Sequence, residues 1–207
     1  MILAGVEFRT SPMELRHAST GRPTFVVVPL RRLMAVDGVG RRGAEDFRRA
    51  TVLLRAAYEA LATSLPRDPL HLEPHPIAEI TWPLDGVPTV DHVVEALDDP
   101  HQYWRQMIEI PARASMDAAV DAIDAARAGA HRKLPLVHVM ELDEGPAVQI
   151  LETGDEGGSE GVRKLMRFVR EARLAIRGDL HELVLADAAV VGHDRARSIL
   201  RMPVGPG

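Results

Sequence analysis

Cysteine is absent from all 207 residues. That excludes disulfides, thiolate metal sites and a cysteine nucleophile, and it fits a reducing compartment. Aromatic residues make up only 4% of the chain, and Trp82 and Trp104 are its two tryptophans. Scarce aromatics and a net charge of −5 count against a nucleic-acid surface. No apolar run reaches the ~18 residues of a membrane span, and no basic region followed by an apolar one opens the chain. A cytoplasmic protein is expected. The glycine stretch from Gly154 to Gly158 lacks the Gly-Lys-Ser/Thr ending of a phosphate loop. No serine sits in a nucleophile elbow. His71 and His75 are four apart, but Pro74 and Pro76 break the helix that would bring them onto one metal. Neither a metal nor a cofactor is expected, and no helix-turn-helix is evident.

What is present is a chain that is 46% hydrophobic, long enough to bury roughly 70% of its unfolded surface in one domain. Charge is uneven. Residues 1–70 hold 11 Lys+Arg against 7 Asp+Glu, and residues 71–207 hold 14 against 23. The pairs Arg31-Arg32, Arg41-Arg42 and Arg48-Arg49 read as solvated surface, with an anion patch as the functional alternative.

Residues 1–24, with Gly5, Pro12, Gly21 and Pro23, show weak periodicity and read as an N-terminal arm. Phe25–Val28 is β-branched and aromatic, a strand expected to run past Pro29 toward Val36, with a turn at Asp37-Gly38-Val39-Gly40. Phe47, Thr51, Leu54, Tyr58 and Leu61 recur at helical spacing over 44–64. A strand is expected over 77–82. Tyr103–Ile110 alternates, with Trp104, Gln106, Ile108 and Ile110 on an apolar face and Tyr103, Arg105, Met107 and Glu109 on a polar one. Met116, Ala119, Val120, Ile123 and Ala126 mark a second helix with Ser115 as its N-cap. Leu136–Leu142 and Ala147–Leu151 flank Asp143-Glu144-Gly145 and read as a hairpin. A helix carrying Val162, Leu165, Met166 and Val169 follows, then strands over Leu180–Leu185 and Ser198–Val204. The tail Gly205-Pro206-Gly207 reads as frayed. The expected class is α+β: strand, helix and two strands, then a helical insertion at about 115–133, then a similar unit.

One tension stands out. The strand Leu180-His181-Glu182-Leu183-Val184-Leu185 is mostly apolar yet carries two adjacent ionisable groups. Each must be paired, hydrogen-bonded, solvated or put to use. Alternation sets Glu182 and Val184 on one face, His181 and Leu183 on the other.

The ordered set of Trp82, Tyr103-Trp104-Arg105-Gln106-Met107-Ile108 ending at Pro111, Lys133, Glu144-Gly145-Pro146-Ala147-Val148-Gln149-Ile150-Leu151, Glu160, His181-Glu182-Leu183 and Ile199-Leu200-Arg201-Met202-Pro203-Val204 resembles the GyrI-like small-molecule-binding proteins. The branch it matches includes cyclopropanoid cyclyl hydrolases. The resemblance covers about residues 25–204. It implies a single domain of two strand–helix–strand–strand (SHS2) modules, about 25–110 and 136–204, related by a pseudo-twofold with a ligand cleft between them. It also implies a planar, hydrophobic, often cationic or electrophilic ligand and a buried glutamate facing it. Departures are Leu180 where the family has a first histidine, Val184 where it has tyrosine, Glu152 where it has histidine, and Gly154-Asp155-Glu156-Gly157-Gly158 where it has a glycine-aromatic turn.

Against that background Glu182 is the candidate general base, since burial among apolar groups raises a carboxyl pKa toward neutrality; the alternative is an edge-strand glutamate in water or beside an arginine. Tyr103 is the candidate donor to a ligand oxygen, or else a surface tyrosine. Trp82 and Trp104 are candidates to stack on a planar ligand, with core packing the alternative. Met107 and Glu109 share the face of Tyr103 and complete the candidate ligand contacts there. Glu152 is a candidate second cleft carboxylate. Glu160 is a ligand candidate whose structural role is to start a helix. His181 is a ligand candidate or a satisfied structural histidine. By resemblance, the reaction is hydrolysis of the strained cyclopropane of a cyclohexadienone-type DNA-alkylating compound, for detoxification or self-resistance. The alternatives are a non-catalytic module that sequesters or senses a drug, and a protein-interaction role in which the acidic C-terminal half mimics nucleic acid. No direct nucleic-acid binding and no membrane partner are expected.

Overall fold

The structure is a computed structural model. It describes residues 21–66, 79–82, 103–128, 136–154, 159–186 and 191–207, with Ala18 and His101. Most of the expected arm, His71, His75 and Lys133 lie outside the described residues. In chain order the elements are β1 (Thr24–Val28), β2 (Arg31–Val39), α1 (Glu45–Ser64), β3 (Glu79–Trp82), β4 (Tyr103–Glu109), α2 (Met116–Ala128), β5 (Val137–Leu142), β6 (Gly145–Thr153), α3 (Ser159–Glu171), β7 (Leu174–Ile176), β8 (Leu180–Ala186), a short 3-10 turn (His193–Arg195) and β9 (Arg197–Pro206). The fold is α+β, built from two modules of the same make: β2–α1–β3–β4 and β6–α3–β8–β9. The chain divides into two compact units, with β3 on the division.

In the unit around β2, that strand pairs antiparallel with β4 on one side and β5 on the other. Residues opposite one another on paired strands share a face. Met34, Val36 and Gly38 therefore share a face with Ile108, Gln106 and Trp104. The helices cover that face. α1 buries Phe47, Ala50, Leu53, Leu54, Ala57 and Leu61, spaced for one side of a helix, and α2 adds Ala119, Ala122 and Ile123. Ser115 caps α2, accepting from the Ala118 N–H at 3.1 Å. Gln106, wholly buried, is satisfied at both ends: Thr51 donates to its Oε1 at 2.7 Å and its Nε2 donates to the Phe47 carbonyl at 2.8 Å. The other face holds a second apolar cluster of Leu33, Ala35 and Met107, with Met140 and Leu142 against it.

In the unit around β6 the strand order is β1-β6-β9-β8, with β7 also on β9. α3 lies on one face through Val162, Leu165, Met166 and Val169, and Phe168 meets Phe25 edge-on at 5.3 Å.

The structure corrects four sequence expectations. The expected hairpin does not form. β5 pairs with β2, while β6 pairs with β1 and β9. Each module thus takes its outer strand from the segment that precedes the other module. Such an exchange leaves no local signal, because a short link between apolar runs looks the same whether or not they pair. Nor does one strand run past Pro29: β1 and β2 are separate and have different partners. Asp37-Gly38-Val39 is not a turn but the end of β2, and the glycine is there because the Trp104 indole packs against its Cα. The tail is ordered to Pro206, since the short β7 pairs Leu174 with Pro206 and Ala175 with Gly205.

Candidate functional site

β8 decides what its two ionisable residues can do. Glu182 stands opposite Leu200, and Leu200 stands opposite Ile150. Val148, next but one from Ile150 on β6, pairs with Phe25, which meets α3. Glu182 is therefore on the α3 face of the sheet, half-buried, with Leu180 and Val184 beside it on the same face. Leu180, Leu200 and Ile150 are buried. The helix packs on β6, β7 and β9, and β8 comes after β9 in the strand order. A carboxylate on that face has apolar groups along its own strand and across it.

His181 stands on the opposite face, and there the structure shows a feature that the sequence reading missed. Thr24, Gln149, Arg201 and His181 pair in register across four strands, a polar row through an otherwise apolar face that includes Val26, Val28, Ala147 and Ile199. Arg201 Nε donates to Gln149 Oε1 at 3.1 Å. Glu144, from the link between β5 and β6, sets its two oxygens against two members of the row. Oε1 is 3.6 Å from Arg201 Nη1, and Oε2 is 3.8 Å from His181 Nδ1. The side chains of Glu144 and Arg201 are 1% exposed and that of His181 is 3% exposed. Charges withdrawn this far from water lose several kcal/mol of hydration each, so they persist only when paired. The sequence signal was available: Gln149 and Arg201 interrupt apolar strands just as Glu182 does.

Glu152 shares the α3 face and accepts a hydrogen bond from the Gly161 N–H at 2.7 Å, so it holds the first turn of α3. Glu160, in the same turn, lies 3.9 Å from Lys164. Both complement the positive end of the helix. Trp104 is 2% exposed, beneath α1, where its ring meets Phe47 edge-on at 5.1 Å. Its indole N–H has no hydrogen-bond partner among the described residues. Tyr103, Met107 and Glu109 lie on the face away from α1. Met107 is fully buried in the Leu33 cluster, against the expectation of a polar face, whereas Tyr103 and Glu109 at the strand ends are exposed. Near Tyr103 on that face, Arg105 Nε donates to Asp37 Oδ1 at 2.6 Å and His138 Nε2 lies 3.7 Å from Asp37 Oδ2, all half-exposed or exposed. Trp82 ends β3, and its side chain lies outside the described residues. Among the described residues no group of three or more side chains is arranged to hold a metal ion, and no helix is long and apolar enough to cross a membrane.

No family model matches the chain, and no curated protein does. Solved structures share its fold. A hydrolase from Listeria innocua is 20% identical with a TM-score of 0.72, over 93% of this chain and 96% of that one. An uncharacterised conserved protein from Listeria innocua is 21% identical with a TM-score of 0.74, again over 93% and 96%. The EcmrR C-terminal domain is 9% identical with a TM-score of 0.56, over 90% of this chain and 98% of that domain.

Proposed function

We propose that this chain is a GyrI-like small-molecule-binding protein that acts as a hydrolase on a planar, hydrophobic substrate, opening the cyclopropane of a cyclohexadienone. The observation that carries the reading is the position of Glu182, half-buried on the α3 face of β8 among Leu180, Val184 and Leu200. A carboxylate in apolar surroundings suits a general base. The fold shared with a Listeria innocua protein described as a hydrolase supports it, as does the ordered set of motifs from Trp82 to Val204.

In the reaction, Glu182 takes a proton from water as the water oxygen attacks the cyclopropane methylene. The ring carbon–carbon bond breaks, its electron pair moves through the dienone to the carbonyl oxygen, and that oxygen gains a proton to give a phenol while Glu182 releases its own. The sum is addition of one water. General base catalysis supplies about 10²–10⁴-fold, and positioning and ring strain supply the rest. No step calls for a cofactor. Tyr103, exposed at the start of β4, is the proposed donor to the dienone oxygen.

The test is incubation with a cyclopropane-bearing duocarmycin-type compound, read by mass for added water. Wild type should add water, and Glu182→Gln should bind the compound without turning it over. Binding by wild type with no added water, and loss of affinity in Glu182→Gln, would make the chain a sequestering or sensing module instead.

A further inference from the structure

Two helices carry exposed charge of opposite sign at one spacing. On α2, Asp117, Asp121 and Asp124 stand four and then three residues apart, which sets them along one side of the helix. On α3, Arg163, Arg167 and Arg170 stand four and then three residues apart. All six are exposed. They turn away from the buried sides, formed by Ala119, Ala122 and Ile123 of α2 and by Val162, Leu165, Met166 and Val169 of α3. α1 treats its exposed charges differently, for Arg49 pairs with Glu45 and Asp46 about one turn away. The three aspartates, Arg167 and Arg170 make no ion pair among the described residues. Glu160, 3.9 Å from Lys164, and Glu171 flank the arginines, and Arg127 flanks the aspartates. Like charges one turn apart repel. Each stripe therefore weighs on its own helix and is relieved by a stripe of the other sign.

We propose that α2 of one copy docks on α3 of a second copy of this chain. Run antiparallel, the stripes bring Asp117 to Arg170, Asp121 to Arg167 and Asp124 to Arg163, at heights along the axis that differ by no more than about 1.5 Å. Antiparallel helices also set opposite dipole ends side by side. Val120, 46% exposed, lies among the aspartates, and the aliphatic stems of the arginines can cover it. Each copy offers one acidic and one basic helix, so the same contact serves whether copies close in pairs or add in a row. A nucleic acid would satisfy the arginines but be repelled by the aspartates, and a net charge of −5 opposes it. Exposed ion pairs are individually weak, so the association is modest and sensitive to salt. It needs neither Glu182 nor a substrate and stands apart from the hydrolase reading.

The experiment is sedimentation velocity on the full chain over a range of concentrations. Wild type should self-associate. Its association constant should fall at least about tenfold as salt rises from about 0.1 M to about 1 M, since the screening length shrinks from about 10 Å to about 3 Å. One variant, Asp117→Arg with Asp121→Arg, turns the α2 stripe basic. Another, Arg167→Glu with Arg170→Glu, turns the α3 stripe acidic. Each alone should stay monomeric, because its two stripes now repel. Mixed, the two variants should associate about as well as wild type, because each offers the stripe that the other needs. Misfolding of either variant could not produce that rescue. A wild type that is monomeric at low salt would overturn the proposal. So would self-association that either variant retains, or a mixture that stays monomeric while both variants show wild-type circular dichroism. A monomeric wild type that retains a short DNA duplex, with retention lost in Arg167→Glu with Arg170→Glu, would assign α3 to nucleic acid and overturn the proposal as well.

Discussion

Glu144 and Arg201 meet in the interior of one unit, 3.6 Å apart, with both side chains 1% exposed, although they are far apart in sequence. The carboxylate comes from a link between strands and the guanidinium from the middle of β9. Neither strand pattern announces the contact. Its neighbours, Gln149 and His181, are also nearly or wholly buried, so the group must be satisfied from within.

Removing one charge from this set should be worse than removing the set. Arg201→Met takes the guanidinium away from the buried Glu144 carboxylate and is expected to destabilise the chain by about 3–5 kcal/mol. Replacing Glu144, Arg201 and His181 together with apolar residues of similar size should cost much less than the sum of the single changes. Urea unfolding of the singles and the triple checks this. Strict additivity would mean that the three do not act as a unit.

Gly38 and Trp104 make a second long-range match. A Cβ on Gly38 would run into the Trp104 indole, and the indole is held by Phe47 and buried. Gly38→Ala is expected to cost about 1–3 kcal/mol, the range for overpacking a filled core. The drop in Tm should come with a change in tryptophan fluorescence. A neutral substitution would show that the ring has room to move.

Glu152 separates a helix-holding role from a ligand role. Its bond to the Gly161 N–H needs an oxygen but no charge. Glu152→Gln should therefore stay within about 1 kcal/mol of wild type, the residual being the interaction with the helix dipole. Glu152→Ala should cost about 1–2 kcal/mol, as loss of an N-cap does. Ligand affinity should be unchanged in Glu152→Gln. A selective fall in affinity at constant Tm would return Glu152 to the binding site.

Local chemistry was legible from the residues alone. The spacing of Phe47, Leu54 and Leu61, the Ser115 cap and the apolar run of Val162 to Val169 each specify a helix by short-range rules, and the structure places helices there. The odd glutamate in the strand Leu180–Leu185 was equally visible. Strand partnership was not, because an apolar strand can pair with any other and each module borrows its outer strand from across the chain. Gly38 misled for the same reason: a glycine that frees a turn and one that admits a distant indole look alike until the partner is known.

The sequence by itself determined the element types, the α+β class, the repetition of a strand–helix–strand–strand pattern and the presence of ionisable groups where strands should be apolar. Those follow from periodicity and from the energy of burying charge, both of which act over a few neighbouring residues. Only the tertiary structure decided that His181 looks toward Glu144 and Arg201 while Glu182 looks toward the side of α3. Facing is a property of register, and register is set by contacts between residues that the chain alone does not bring together.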